Sequence, residues 1–135
     1  MTHEEMVRAA RQARLHAYAP YSGFRVGACL VTEVGHIYTG CNVESVSFSP
    51  TCCAERTALF AAVAQGERRF AAIAVAGDGP RKAWPCGVCR QALMEFSPGL
   101  LVIAAGEAGD WETATLSELL PHAFTEYRTE EESHG

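Results

Sequence analysis

Two short and almost wholly apolar runs, Phe70 to Ala76 and Leu100 to Ala105, constrain the fold most strongly. Runs of this length bounded by Gly and Pro are typical of strands that are buried on both faces of a sheet. The segment between them has a helical pattern that starts at Pro85 and stops at Pro98. A strand, a helix and a second strand in this order predict a right-handed parallel crossover, and therefore an α/β layered fold.

The remaining segments surround this unit with further helices and strands. Thr2 and Glu5 form a capping-box pattern at the start of a first helix, which stops at Pro20. A strand at Trp111 to Thr115 follows the second buried run after only five residues, which is too short for a parallel crossover and predicts antiparallel pairing. The other predicted elements are an antiparallel hairpin of strands 24–32 and 36–43, a helix over 53–65, and a short final helix over 116–124 that is broken at Pro121.

Length and charge restrict the kind of protein and partner. We predict a single domain over residues 1–128 and a disordered acidic tail over 129–135, where no apolar residue is available for burial. A net charge of −5 and few basic clusters argue against nucleic acid, whose binding depends on neutralising phosphates, and favour a small, weakly charged partner. The chain has neither an apolar stretch of about 20 residues nor a signal-peptide pattern, so we expect no membrane contact and a cytoplasmic location.

The chain contains six cysteines, which in a reducing compartment indicate metal binding or catalysis before disulfides. Three of them, Cys53, Cys86 and Cys89, lie at the starts of two predicted helices, where the positive end of the helix dipole favours the thiolate that binds metal. Three thiolates leave one position of a tetrahedral zinc open, as in catalytic sites. The other three cysteines are expected to be structural.

Two charged residues follow the first of these cysteines. Glu55, two residues after Cys53, is placed to move the protons of a water that zinc activates. Arg56, three residues after Cys53, could bring positive charge close to the electron-rich sulfurs.

These motifs together resemble the small, homotetrameric zinc-dependent cytidine deaminases. The resemblance covers about residues 4 to 124 and is specific in its combined spacing, although a Cys-x-x-Cys motif alone would be weak. The segments that carry it are Tyr21-Ser22-Gly23-Phe24-Arg25-Val26-Gly27-Ala28, Gly40-Cys41-Asn42-Val43-Glu44, Cys53-Ala54-Glu55-Arg56, Pro85-Cys86-Gly87-Val88-Cys89-Arg90-Gln91 and Leu119-Leu120-Pro121-His122-Ala123-Phe124.

The resemblance implies a fold, an activity and a set of site residues. It implies a three-layer fold with a five-stranded mixed sheet flanked by helices, and hydrolytic deamination of cytidine and deoxycytidine in pyrimidine salvage. By similarity, zinc is bound by the three helix-start cysteines and Glu55 is the general acid and base. Substrate contacts are implied for Asn42 and Glu44 on the ribose, Phe24 and Ala54 at the base, and Phe124 in the site of a neighbouring subunit of a homotetramer.

One segment departs from the family pattern. Ser45, Val46 and Phe48 stand where the family commonly has Asn, Ala and Tyr, which changes the pocket wall or the subunit contacts.

Other functions are compatible with some of the same motifs. The alternatives are a deaminase of another aminopyrimidine nucleoside such as blasticidin S, a polynucleotide-editing deaminase, a thioredoxin-like redox protein, and a non-enzymatic protein in which zinc only stabilises the structure. The last would need a fourth protein ligand.

Overall fold

A computed structural model describes residues 1–127 of the chain, so the predicted acidic tail at 129–135 lies outside the described residues. The described part contains four helices and five strands. They are α1 (His3–Arg14), β1 (Val26–Thr32), β2 (Ile37–Cys41), α2 (Ala54–Ala64), β3 (Phe70–Gly77), α3 (Gly87–Met94), β4 (Leu101–Ala105), β5 (Trp111–Thr115) and α4 (Leu116–Leu119).

The strands form one five-stranded mixed sheet in the order β2-β1-β3-β4-β5. β3 and β4 pair in parallel through the crossover that contains α3, and every other neighbouring pair is antiparallel. The α/β prediction, the parallel crossover and the antiparallel pairing of the last strand are therefore confirmed.

The core lies in two layers, one on each face of the sheet. Alternate residues along a strand point to opposite faces, and the buried side chains divide accordingly. Leu30, Ile73 and Val102 pack with α2 and α3, whereas Cys29, Ala74 and Ile103 pack with α1. The result is the predicted three-layer arrangement, with α1 on one face and α2 and α3 on the other.

Local signals fix most of the element boundaries. The capping box of Thr2 and Glu5 is present at the start of α1. Gly66, with φ of 95°, follows the end of α2 and adopts the left-handed conformation that glycine accommodates best.

Several predicted boundaries were wrong. α1 ends at Arg14, with Leu15 as its C-cap, and does not extend to the predicted stop at Pro20. α3 begins at Gly87 with Cys86 as its N-cap, so Pro85 precedes the cap and does not belong to the first helical turn. α4 ends at Leu119 and does not extend to Phe124. The reason is that Leu120, the residue before Pro121, leaves the helical conformation at φ −140° and ψ 69°, in keeping with the steric restriction before proline.

Two glycines allow helices to approach the sheet closely. A Cβ at Gly27 in β1 would lie 2.0 Å from the carbonyl oxygen of Ala10 in α1. A Cβ at Gly40 in β2 would lie 2.5 Å from the carbonyl oxygen of Ala54, in the first turn of α2. The packing of α2 on β2 therefore sets the position of the helix start that carries Cys53. Within residues 1–127, no helix combines the length and the apolar character needed to cross a bilayer.

Candidate active site and metal centre

Three cysteine sulfurs meet where α2 and α3 begin. Cys53 is the N-cap of α2, Cys86 is the N-cap of α3, and Cys89 lies in the first turn of α3, fully buried. The three Sγ atoms all lie within 4.8 Å of one another, and those of Cys53 and Cys86 are 3.9 Å apart. The structure thus brings together the three cysteines that the sequence predicted as ligands.

The sulfur geometry fits a tetrahedral zinc ion. Two thiolates bound at about 2.3 Å with a tetrahedral angle stand about 3.8 Å apart, close to the spacing of the Cys53 and Cys86 sulfurs. Within residues 1–127, the ligand cluster contains these three groups and no fourth. A fourth position would therefore be left for solvent or substrate, which is typical of a catalytic rather than a structural zinc site.

The electrostatics of the cluster favour the ionised form of Cys53. A hydrogen bond from the Cys89 thiol and a second from Arg56 lower the pKa of Cys53 to about 5. The guanidinium Nη2 of Arg56 lies 3.5 Å from the Cys53 Sγ. Donation to Cys53 and burial raise the pKa of the Cys89 thiol, so the pair retains a proton that a bound cation would replace.

Glu55 is the charged side chain that the fold buries next to these sulfurs. It lies in the first turn of α2 and is 4% exposed. Burial, reinforced by the charge on Cys53, raises the pKa of its carboxyl to about 7. A group with a pKa close to neutral can both accept and release a proton in one catalytic cycle.

Asn42 and Glu44 lie just beyond β2, which ends at Cys41, in an irregular segment. The Oδ1 of Asn42 accepts from the Val26 amide at 2.8 Å, and its Nδ2 donates to the Phe24 carbonyl at 2.9 Å. Asn42 therefore links this segment to the start of β1. The second strand, predicted over 36–43, therefore ends two residues early, and Asn42 lies outside it.

The carboxylate of Glu44 forms one wall of a cavity of about 360 Å³. It accepts hydrogen bonds from the backbone amides of Tyr21 and Ser22 at 2.9 and 3.1 Å, and hydrogen bonds from Ser22 lower its pKa. Phe48 also lines this cavity and packs edge-on against Tyr21 with ring centroids 6.4 Å apart. It is 71% exposed and has a positive φ of 62°, which is uncommon for a residue with a side chain.

The three remaining predicted substrate contacts differ in exposure. Phe24 is partly exposed and its ring covers Gly77, where a Cβ would lie 2.9 Å from the ring. Ala54 is fully buried in the first turn of α2. Phe124 is 68% exposed, while its carbonyl accepts from the Gln91 side chain at 2.6 Å.

Two residues that connect the site to other elements, Arg90 and Asp78, had no predicted role. Arg90 donates through Nε to the Pro85 carbonyl at 2.6 Å and through Nη1 to the Leu119 carbonyl at 2.8 Å, which ties the cysteine loop to α4. Asp78 accepts hydrogen bonds from Arg14 and Arg25. Arg90 lies inside a motif that pointed to zinc, but spacing alone does not reveal its long-range partners.

Known proteins resemble this chain along most of its length. The family model for the cytidine and deoxycytidylate deaminase zinc-binding region matches residues 1–105. A cytidine deaminase of Sporosarcina psychrophila is 47% identical over 123 residues, covering 90% of each chain. A cytidine deaminase of Mycobacterium tuberculosis is 40% identical over 115 residues, covering 85% of this chain and 84% of its own.

The fold is also similar to solved structures. A cytidine deaminase structure from Burkholderia pseudomallei superposes with a TM-score of 0.88 at 50% identity, covering 92% of this chain and all of the other. A cytidine deaminase structure from Mycobacterium tuberculosis superposes with a TM-score of 0.77 at 37% identity, covering 92% of this chain and 98% of the other.

Proposed function

Because the chain belongs to the cytidine and deoxycytidylate deaminase family, we propose that it hydrolyses cytidine and deoxycytidine to uridine and deoxyuridine with release of ammonia. The observation that carries this proposal is one buried carboxyl, Glu55, beside three sulfurs gathered at two helix starts. Relatives called cytidine deaminases, similar over nine-tenths of this chain, support a nucleoside of cytosine as the substrate.

Cys53, Cys86 and Cys89 are the residues that would hold zinc. When bound, zinc supplies Lewis acidity, which makes water a nucleophile near neutral pH. Arg56 contacts Cys53 and offsets part of the negative charge of the three sulfurs. A closed structural zinc site needs a fourth protein ligand, and the cluster described within residues 1–127 offers three.

Glu55 moves the protons of the reaction. It takes a proton from the attacking water and donates it to ring N3 as the oxygen of that water bonds to C4. It then delivers the second proton of that water to the amino group, which leaves C4 as ammonia. Its raised pKa of about 7 suits both directions of transfer, because neither the charged nor the neutral form is strongly disfavoured near neutral pH.

The remaining predicted residues hold the nucleoside. Asn42 and Glu44 bind the ribose hydroxyls, and the cavity of about 360 Å³ that Glu44 lines supports the role of Glu44. Phe24 packs beside the pyrimidine, and the backbone at Ala54 contacts the base. Each role rests on the resemblance together with the position of the residue near the start of α2 or the start of β1.

We also propose a homotetramer in the cytoplasm that acts in pyrimidine salvage. The support lies in three exposed large apolar side chains, Val46, Phe48 and Phe124, which are 75%, 71% and 68% exposed in the single chain and lie in segments that the resemblance associates with the pocket wall or the subunit contacts. Exposed apolar side chains that gather into a patch favour burial by a partner. In this proposal Phe124 enters the site of a neighbouring subunit.

Ammonia release from cytidine and deoxycytidine tests the activity directly. Protein of measured zinc content is assayed with and without a chelator, alongside blasticidin S as a competing aminopyrimidine substrate. We expect chelator-sensitive ammonia release from both cytosine nucleosides and little from blasticidin S. Faster turnover of blasticidin S, or no ammonia from any of the three, would refute the proposed substrate.

A further inference from the structure

We propose that Asp78 is a positioning residue for the substrate: it fixes the Phe24 ring through Arg25 and ties that ring to the loop that carries the metal ligands. The inference rests on the proposed function. Asp78 follows β3 directly, at the start of the segment that leads to Cys86. The hydrogen bonds of its carboxylate go to Arg14 and Arg25, so it acts on the site through these two residues.

The carboxylate of Asp78 joins three elements at one point. Its Oδ2 accepts from the backbone amide of Arg25 at 2.8 Å and from the Arg25 Nε at 3.1 Å. Its Oδ1 accepts from the Arg25 Nη2 at 3.2 Å and from the Nη1 of Arg14, in the last turn of α1. The Asp78 amide in turn donates to the Arg25 carbonyl at 2.9 Å. Arg25 is therefore held by side-chain and backbone contacts together.

Fixing Arg25 fixes Phe24, the residue before it. The Phe24 ring lies against Gly77, where it occupies the space that a side chain would fill, and Gly77 is the residue before Asp78. Asn42 holds the Phe24 carbonyl from the other side at 2.9 Å. Without the Asp78 side-chain contacts, Phe24 would keep the hydrogen bonds of its carbonyl to Asn42 and of its amide to the Ser22 Oγ at 3.0 Å, but the residue after it would lose its side-chain anchor.

The hydrogen bonds around Asp78 are also anchored to α1 where this helix packs on the sheet. Arg14 sits where α1 approaches Gly27 so closely that a Cβ there would lie 2.4 Å from the Arg14 amide nitrogen. The side chains of Arg14 and Asp78 are 11% and 19% exposed, so their contact is screened far less than a surface ion pair. After Asp78, the Gly79 carbonyl accepts from the Glu107 amide at 2.9 Å, which fixes the next part of the loop.

The donors around Asp78 need a carboxylate as their acceptor. Four N–H groups from Arg14 and Arg25 converge on its two oxygens. An asparagine of the same shape has one acceptor oxygen and would turn an amide N–H toward donors. Asp78→Asn therefore tests these hydrogen bonds with almost no change in volume.

The test measures zinc content, kcat and KM for cytidine, and the dissociation constant of uridine by calorimetry. For Asp78→Asn we expect unchanged zinc content and a kcat within about twofold of wild type. We expect KM and the uridine dissociation constant to rise together by about tenfold, because a loosened Phe24 weakens binding in ground and transition states alike. Arg25→Gln is expected to raise both by a smaller factor, since the backbone amide contact survives.

A matched control and a double variant separate positioning from general loss of structure. Glu107→Gln removes a charge 3.7 Å from the same Arg14 without touching Arg25, and is expected to leave KM unchanged. If Asp78 acts through Arg25, the double variant that combines Asp78→Asn with Arg25→Gln should have a KM close to that of Asp78→Asn alone. Should Asp78→Asn fail to fold, Arg25→Gln and Glu107→Gln can be compared instead: the KM should rise in the first and stay unchanged in the second.

Unchanged KM and uridine affinity in both Asp78→Asn and Arg25→Gln would overturn the inference, as would an equal rise in Glu107→Gln. Wild-type protein that binds uridine but releases no ammonia from cytidine would instead refute the proposed reaction. The uridine dissociation constants of the variants would then still decide whether Asp78 positions Phe24.

Discussion

Glu55 combines deep burial with a charge that must change during the proposed reaction. A carboxyl that is 4% exposed would ordinarily be costly, because burial disfavours its charged form. Here that cost is expressed as a pKa raised to about 7. The same environment that disfavours a permanent charge therefore produces a group that exchanges protons near neutral pH.

Replacing Glu55 by Gln tests this role at the scale of one residue. The amide keeps the shape of the side chain but cannot carry a proton, so kcat should fall by about 10²–10⁴-fold while zinc content stays unchanged. Ammonia release and metal analysis measure the two quantities, and the exposed Glu112→Gln serves as a control that should retain full activity. A Glu55→Gln enzyme with near wild-type kcat would remove the residue from the mechanism.

At the scale of elements, the site depends on how α2 and α3 are placed rather than on either helix alone. Each begins with a cysteine N-cap at the same point, so two helix dipoles present their positive ends to the sulfurs. α2 reaches that point because Gly40 in β2 lets its first turn approach the sheet.

Gly40→Ala should disturb this placement. The new Cβ would lie 2.4 to 2.5 Å from atoms of Thr57, Ala54 and Ala58, so the first turn of α2 has to shift. We expect a loss of about 1–3 kcal/mol in unfolding free energy, measured by denaturant titration, and reduced zinc affinity. Gly99→Ala, where a Cβ meets nothing within 4 Å, is the control. Equal effects of both substitutions would contradict the packing argument.

The hydrogen bonds of Asp78 with Arg14 and Arg25 should make the unfolding free energy depend on pH. Hydrogen bonds from Arg25, followed by that from Arg14, lower the pKa of Asp78 to about 2, and Glu107 is the other charged group facing Arg14. The pKa of an unfolded Asp is about 4. The stabilisation is therefore complete above about pH 4 and is lost as the pH falls from about 4 to about 2.

Chemical unfolding of wild type and Asp78→Asn at several pH values measures this contribution. Wild type should be the more stable by about 1–2 kcal/mol near neutral pH, and the difference should shrink toward about pH 2. A difference that stays constant down to that pH would show that the Asp78 charge does not stabilise the fold.

The sequence predicted the elements and the gathering of three cysteines better than the contacts between elements. Apolar runs, caps and turn glycines act locally, so the strands, the parallel crossover and the placement of three cysteines near two helix starts were predictable, whereas the first residue of α3 was not. The partners of Asp78 and Arg90 lie tens of residues away, and an Asp in a Gly-Asp-Gly-Pro turn has the same local pattern with or without them. The helix predicted over 116–124 ends early because Pro121 takes the preceding Leu120 out of the helical conformation.

At the scale of the whole molecule, the proposal that Phe124, 68% exposed in the single chain, enters a neighbouring subunit's site means that one chain alone would not complete a site. Phe124→Ala should raise KM for cytidine several-fold without changing zinc content, whereas the exposed Val34→Ala should not. Refolding a mixture of Phe124→Ala with the inactive Glu55→Gln chain should restore sites that combine an intact Glu55 with a neighbour's Phe124. A mixture whose KM matches that of Phe124→Ala alone, or a protein that is monomeric by light scattering, would contradict the shared site.

The most direct test of the account is activity against zinc content. Metal is removed from the protein with a chelator and restored in steps, and ammonia release from cytidine is measured at each zinc-to-chain ratio. The account predicts activity that rises in proportion to bound zinc and saturates at one zinc per chain. Full activity in folded protein that contains almost no metal would contradict it.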